Sequence, residues 1–344
     1  MKFFIKNIYI LLFLIILALY QSKIFAKEVE TQYKSENISN YFSGIISSNK
    51  NYSNEAFKYL KKIDSRENSH YKYNIEFIRT LVILEKFNPA FTFSRKIWNK
   101  NELFFEADLL LGLDYFIKKD FINADRHFER LNDISKYNFF FNNFVGNVLL
   151  AWSKAEQGDE ASSLKYFNKV PKTYGHLIKI QNSFLHCYFG NNETKKLFLN
   201  LIENEDYNFS RYNFFLTNYL ISKKENTKAK KIIDDARKKY NSNLLIKQTE
   251  EYLLQNKSQR IENFFNCKNV KHNLAEFFYI LANLYSSEKD YQMSNFYLRI
   301  SLFLNKDFLT NKTLLAENLF YQNQNETSEK VYNSLKTIGS TYSW

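Results

Sequence analysis

The chain has 344 residues, 45% hydrophobic and 24% charged, which suits a large buried core and excludes a disordered chain. Only 7 Gly and 2 Pro punctuate it, so a sheet-rich fold with many tight turns is excluded. Neither G-x-G-x-x-G nor G-x-x-x-x-G-K-[ST] occurs, which removes nucleotide sites built on such loops, and the net charge of +12 favours acidic partners or anionic surfaces. The expectation is an all-α protein.

At the N-terminus, Lys2 and Lys6 precede an apolar run from Ile8 to Tyr20, and Ala26 offers a small residue at the expected cut. At 13 residues the run is short for a membrane span of about 20. Residues 1–26 therefore read as a signal peptide or N-terminal anchor, and the protein as exported. Losing Lys2, Lys6 and Lys23 with that segment lowers the charge from +12 to +9. Export makes nucleic acid an unsuitable partner. A solvated basic surface without a specific partner accounts equally well for the charge. Two cysteines, Cys187 and Cys267, could bridge in an oxidising compartment. Cys187 lies in the apolar stretch 184–189 and reads as a small buried hydrophobe.

From residue 37 onward a period emerges. Ala56, Ala90 and Ala124 are 34 residues apart, and each heads an apolar ladder continued four and seven residues later, on one helical face. The ladders begin Ala56/Leu60/Ile63, Ala90/Ser94/Ile97 and Ala124/Phe128/Leu131. Next come Ser163/Phe167/Val170, Thr194/Phe198/Leu201 and Ala229/Ile233/Ala236. Ser294/Leu298/Ser301 and Ser328/Tyr332/Leu335 close the series. Twelve residues before most of these small residues lies a second apolar face: Leu111-Gly112 with Tyr115, Leu281-Ala282 with Tyr285, and Leu315-Ala316 with Leu319. Each unit is thus helix, turn, helix, with Ala56, Ala90, Gly112, Ala124, Ser163, Ala229, Ala282, Ser294, Ala316 and Ser328 as the close-approach positions. The connectors carry Asp120, Gly158-Asp159, Glu225 and Asp290 and read as solvated turns.

A 34-residue hairpin spaced L-G-x2-Y, then A-x3-F, resembles the tetratricopeptide repeat, most closely at Leu111-Gly112, Tyr115, Ala124 and Phe128. The closing proline is absent, and Asp108, Phe278 or Lys312 stands where the family has tryptophan. The resemblance implies a right-handed α-solenoid across residues 27–344, with eight recognisable repeats. The gap between Ala229 and Ser294 has room for one degenerate unit at 243–270. More narrowly, the chain resembles exported repeat proteins of Gram-negative bacteria, which implies a periplasmic or cell-envelope location.

Catalytic and metal motifs do not stand out. His70, His127, His176, His186 and His272 form no H-E-x-x-H and no Cys/His cluster. Ser47/Lys50 and Ser286/Lys289 match Ser-x-x-Lys as chance allows in a chain rich in both. The carboxylates read as solvated, on outer helix faces. No enzyme activity, cofactor or metal is expected. The repeat family binds other proteins in the concave groove lined by its first helices. Carried over unit by unit, that lining is Lys72, Arg79, Trp152, Lys179, Arg211, Asn218, Tyr279 and Asn283, which suits peptide or acidic segments. Phe214 and Tyr279 stand where a carboxylate-clamp pattern wants lysine, so that clamp is not expected. The reading is a non-catalytic protein-interaction scaffold. The alternatives are a helical accessory part of a cell-wall enzyme, resembling the helical segment of lytic transglycosylases, and a module docking peripherally on anionic membrane. At the C-terminus, residues 341–344 read as the opening of a further first helix, and hence as a chain that continues or whose end face is covered by a partner or second copy.

Overall fold

The computed structural model describes residues 35–63, 70–100, 102–135, 143–204, 206–336 and 338–342. The segment read as a signal, residues 1–26, lies outside them. The described residues contain no strand and fold as successive helical hairpins, an α-solenoid.

The third hairpin shows why the sequence folds this way. Its first helix, α5 (Phe105–Ile117), buries Leu109, Leu110, Leu113 and Phe116. Its second, α6 (Phe121–Ser135), buries the ladder Ala124, Phe128 and Leu131, each at most 1% exposed. A Cβ built on Gly112 would run into the Phe128 ring, so the glycine is a packing requirement of α5 against α6. Gly44 stands in the same relation to Leu60 in the first hairpin. Burying a phenylalanine such as Phe128 contributes roughly 1.5–3 kcal/mol, so the ladders carry much of each unit's stability.

The same plan repeats along the chain. Before the third hairpin come α1 (Ser35–Asn49) with α2 (Ser53–Leu60), and α3 (Tyr71–Ile83) with α4 (Phe87–Ile97). After it come α7 (Val145–Glu156) with α8 (Glu160–Phe167), and α9 (Gly175–Phe189) with α10 (Thr194–Ile202). Then follow α11 (Tyr212–Ser222) with α12 (Asn226–Lys239), and α13 (Leu244–Leu254) with α14 (Ser258–Phe264). The last two are α15 (Val270–Ser287) with α16 (Tyr291–Leu304), and α17 (Leu309–Tyr321) with α18 (Asn325–Leu335). The close-approach residues Ala56, Ala90, Ala124, Ser163, Ala229, Ala282, Ser294, Ala316 and Ser328 are all buried. At two of the serine positions the hydroxyl also bonds across the hairpin: Ser163 Oγ donates to the Ala151 carbonyl, and Ser328 Oγ to that of Ala316 at 2.7 Å.

Every hairpin turn holds one residue in the left-handed region: Asn51, Glu85, Lys119, Gly158, Gly190, Lys224, Asn256, Lys289 and Asn323. This residue stops the first helix, and its N–H and the next one fold back on the last carbonyls. Lys119 N–H donates to Phe116 O at 3.0 Å and Asp120 N–H to Tyr115 O at 3.0 Å. The connectors are therefore structured caps as well as solvated turns. Asp159 accepts from Ser162 N–H at 2.9 Å and Asp290 from Met293 N–H at 3.1 Å, closing the start of the second helix.

Superposed on the stack is a long-range closure. The eighth hairpin turns into the coil, so that α15 packs on α7 and α9 while α16 packs on α3. Phe303 lies flat on Phe87 with centroids 4.1 Å apart, Arg299 pairs with Glu85, and Gln324 Nε2 donates to Asn51 O at 2.8 Å. Phe277 of α15 meets Phe144, just before α7, edge-on at 5.6 Å. The C-terminal residues correct the sequence reading. Residues 338–342 fold back onto α13 instead of opening a further first helix, with Tyr342 buried and Thr341 Oγ1 3.4 Å from Glu251 Oε2. Ser343 and Trp344 lie outside the described residues.

Candidate functional site

The inward faces of the first helices are where the repeat resemblance places partner binding, and here hairpin α15–α16 occupies much of that space. Arg79, on α3, points both Nε (2.9 Å) and Nη2 (2.6 Å) at Glu106 Oε1. Arg211, just before α11, pairs with Glu276 of α15 and lies 3.9 Å from the ring centroid of Tyr279. Phe215, Tyr212 and Phe308 complete an aromatic surround at 5.5–5.7 Å. The structure thus brings Arg211 and Tyr279 together, but as a tie between α11 and α15.

Trp152 is fully buried and donates its indole N–H to Gln181 Oε1 at 2.8 Å. Asn218 donates to the carbonyls of Ile261 and Phe265, 2.9 Å each, and so closes the C-terminus of α14. Lys72, Lys179 and Asn283 are exposed, and Lys72 forms an i,i+4 pair with Glu76 at 2.8 Å. These eight residues do not assemble into one open surface, because six of them, all but Lys179 and Asn283, are engaged by the chain's own groups.

The carboxylates are a second correction. Glu76, Glu106, Asp108, Asp114 and Glu276 are buried rather than solvated, and each is held by internal donors. Asp108 Oδ1 accepts from Trp98 Nε1 (2.9 Å) and Arg130 Nε (2.9 Å) and lies 2.8 Å from His127 Nδ1. Asp114 takes Arg95 and Lys118. Glu276 is fully buried, which pushes its carboxyl up to about 7, with Arg211 and the Tyr212 hydroxyl pulling the other way. Arg211 covers its Oε2 and Tyr212 its Oε1, at 3.0 Å for the latter, so no substrate reaches it. Burying each of these charges requires its partner. Among the described residues no three His, Cys, Asp or Glu side chains gather as a metal site.

From the sequence Cys187 and Cys267 are compatible with a bridge, and Cys187 reads as a small buried hydrophobe. They form a disulfide, with Cα atoms 5.9 Å apart, within the ordinary range. It ties α9 to the link between α14 and α15, where Lys268 Nζ also donates to Tyr188 O at 2.6 Å. The reason lies in the closure: α15 packs on α9, so 80 residues of sequence separation collapse to one contact.

Two open concavities lie along seams between hairpins. One, of about 680 Å³, is bounded by α4, α16, α17 and α18. Arg299, Lys306, Lys312 and Lys330 line it against a single carboxylate, Glu85, which is already paired with Arg299. Its apolar walls include Phe87, Leu302, Phe303, Leu315 and Val331. Sequence reasoning missed this cleft, since its walls come from units far apart in the chain. A second seam of about 610 Å³ joins the turns at 49–52, 289–292 and 321–323.

No family model matches the chain, and neither does any curated protein. Among solved structures, the APC/C hetero-tetramer Cut9–Hcn1 is similar over 94% of this chain at 15% identity and a TM-score of 0.34. The match spans 56% of that chain, so this protein covers little more than half of its structural neighbour's length. The fold assignment rests on the hairpins themselves, and the chain is similar in plan to tetratricopeptide arrays.

Proposed function

We propose that the chain is a non-catalytic scaffold that binds another protein, exported to the envelope of a Gram-negative bacterium, and that it binds on seam and outer surfaces of a self-filled coil. The observation that carries this reading is the seating of α15–α16 against α3, α7 and α9. It occupies much of the inner face of the array while leaving a basic, apolar-walled cleft outside. The buried carboxylates support a structural rather than catalytic role, because each is tied to a cation or neutral donor of the chain itself. The Cys187–Cys267 disulfide and the apolar run at 8–20 support an oxidising, extracytoplasmic location.

Affinity capture from crosslinked envelopes, followed by reconstitution with the purified captured protein, tests the reading. Direct binding of one protein, unaffected by removing lipid, supports it. Binding that needs anionic vesicles and collapses between low and physiological salt would favour membrane docking instead. Turnover of cell-wall fragments by the purified chain would favour the enzyme reading.

A further inference from the structure

The cleft between α4, α16, α17 and α18 combines three features that rarely coincide by chance on a basic surface. First, Lys306, Lys312 and Lys330 have no hydrogen-bond or ion-pair partner among the described residues, whereas Arg79, Arg95, Arg211 and Arg299 are all paired. Second, these lysines come from separate elements: the α16–α17 link, α17 and α18. Third, they surround apolar side chains, and Phe303 is 41% exposed there despite its stack on Phe87. At about 680 Å³ and open to solvent, the cleft has the size of a ligand site.

We propose that this cleft binds an acidic segment of another protein, its carboxylates on Lys306, Lys312 and Lys330 and a bulky apolar side chain on Phe303 and Val331. The proposal rests on the scaffold reading and names the partner's chemistry. Complementary charge selects the segment and speeds its encounter, while the buried apolar anchor supplies most of the residence time. A polypeptide fits better than a lipid headgroup, because cations supplied by three elements match several carboxylates spaced along a chain. The occupant would touch hairpin two through Asn88 and hairpins eight and nine together. It bridges the two ends of the coil, so its binding and the closure reinforce each other.

A displayed library of random 12-residue peptides, selected against the full chain, tests this. Selected sequences should place Asp or Glu around Phe, Leu or Trp. A synthetic copy should bind the wild type and lose at least tenfold in affinity with Lys306→Glu/Lys312→Glu/Lys330→Glu. An equal charge change on α12, Lys230→Glu/Lys231→Glu/Lys239→Glu, should leave binding within about twofold. Circular dichroism checks the fold of each variant, and if the triple reversal unfolds, Lys306→Gln/Lys330→Gln should still show several-fold loss. Selection without acidic enrichment overturns the proposal, as does equal loss in both triple variants. Phosphatidylglycerol vesicles that bind the cleft lysines while the peptide does not compete would also overturn it. Peptides that bind outside the cleft would end this proposal and leave the scaffold reading standing.

Discussion

Phe303, near the end of α16, stacks on Phe87, the first residue of α4, with ring centroids 4.1 Å apart and planes 18° from parallel. The two belong to the second and eighth hairpins, so the contact joins distant parts of the stack. With Phe87 buried and Phe303 41% exposed, Phe303→Ala should cost about 1–2 kcal/mol, below the 3–5 kcal/mol of a fully buried phenylalanine. Denaturant midpoints measure this. An unchanged midpoint would mean that the stack contributes nothing to closure.

Arg211 and Glu276 make a buried pair whose halves cannot be separated without penalty. Arg211→Met should destabilise by about 3–5 kcal/mol, whereas Arg211→Met/Glu276→Leu should recover most of that. A double variant as unstable as the single one would show that the aromatic surround, not the charge pair, requires the guanidinium.

The same pair gives a pH signature. The Glu276 carboxyl sits near 4.5 when unfolded and is raised to about 7 by burial in the fold. The folded state therefore binds more protons between those values, and its stability falls as pH rises through that window. In Glu276→Gln this component of the slope should vanish. Melting curves from pH 4.5 to 7.5 decide it, and an identical slope in both proteins would contradict the assignment.

Among the described residues, seven of the nine hairpin turns place a non-glycine residue in the left-handed region. Lys119 and Lys289 bear the full steric cost of that conformation, which asparagine tolerates better. Lys119→Gly and Lys289→Gly should each stabilise by about 0.5–1 kcal/mol, and Asn51→Gly should be nearly neutral. Ala124→Leu should act in the opposite sense. Ala124 is fully buried where α6 meets α5, so overpacking there should cost about 1–3 kcal/mol. Chemical denaturation of the set tests both the turns and the register, and a silent Ala124→Leu would count against the packing described.

The hairpins were legible because their contacts are local. A ladder such as Ala124/Phe128/Leu131 recurs in unit after unit, 34 residues apart from Ala56 to Ala124, and the periodicity of one helix face survives in sequence. It fades at α14, which has seven residues and a single buried one, Ile261. Closure leaves no such trace, because Glu85 with Arg299 and Cys187 with Cys267 meet across many units, and no spacing rule links them. Asp108 was visible as a departure from the repeat pattern. That it would accept from Trp98, ten residues earlier, depends on how α4 leads into α5. Arg211 and Tyr279 were picked out as groove residues, and they do meet. Their partners turn inward because α15 occupies the space that an open array would leave to a ligand.

The coil is closed on itself, with its second and eighth hairpins side by side. Double electron–electron resonance between spin labels at Asn88→Cys and Lys306→Cys measures it directly, the native cysteines being oxidised. Both positions line the same cleft, so the closed coil predicts one narrow distribution centred below about 25 Å. An open stack, with helices about 8–10 Å apart, would set hairpins six places apart at roughly 40–60 Å. A broad distribution centred in that longer range would mean that the coil is open.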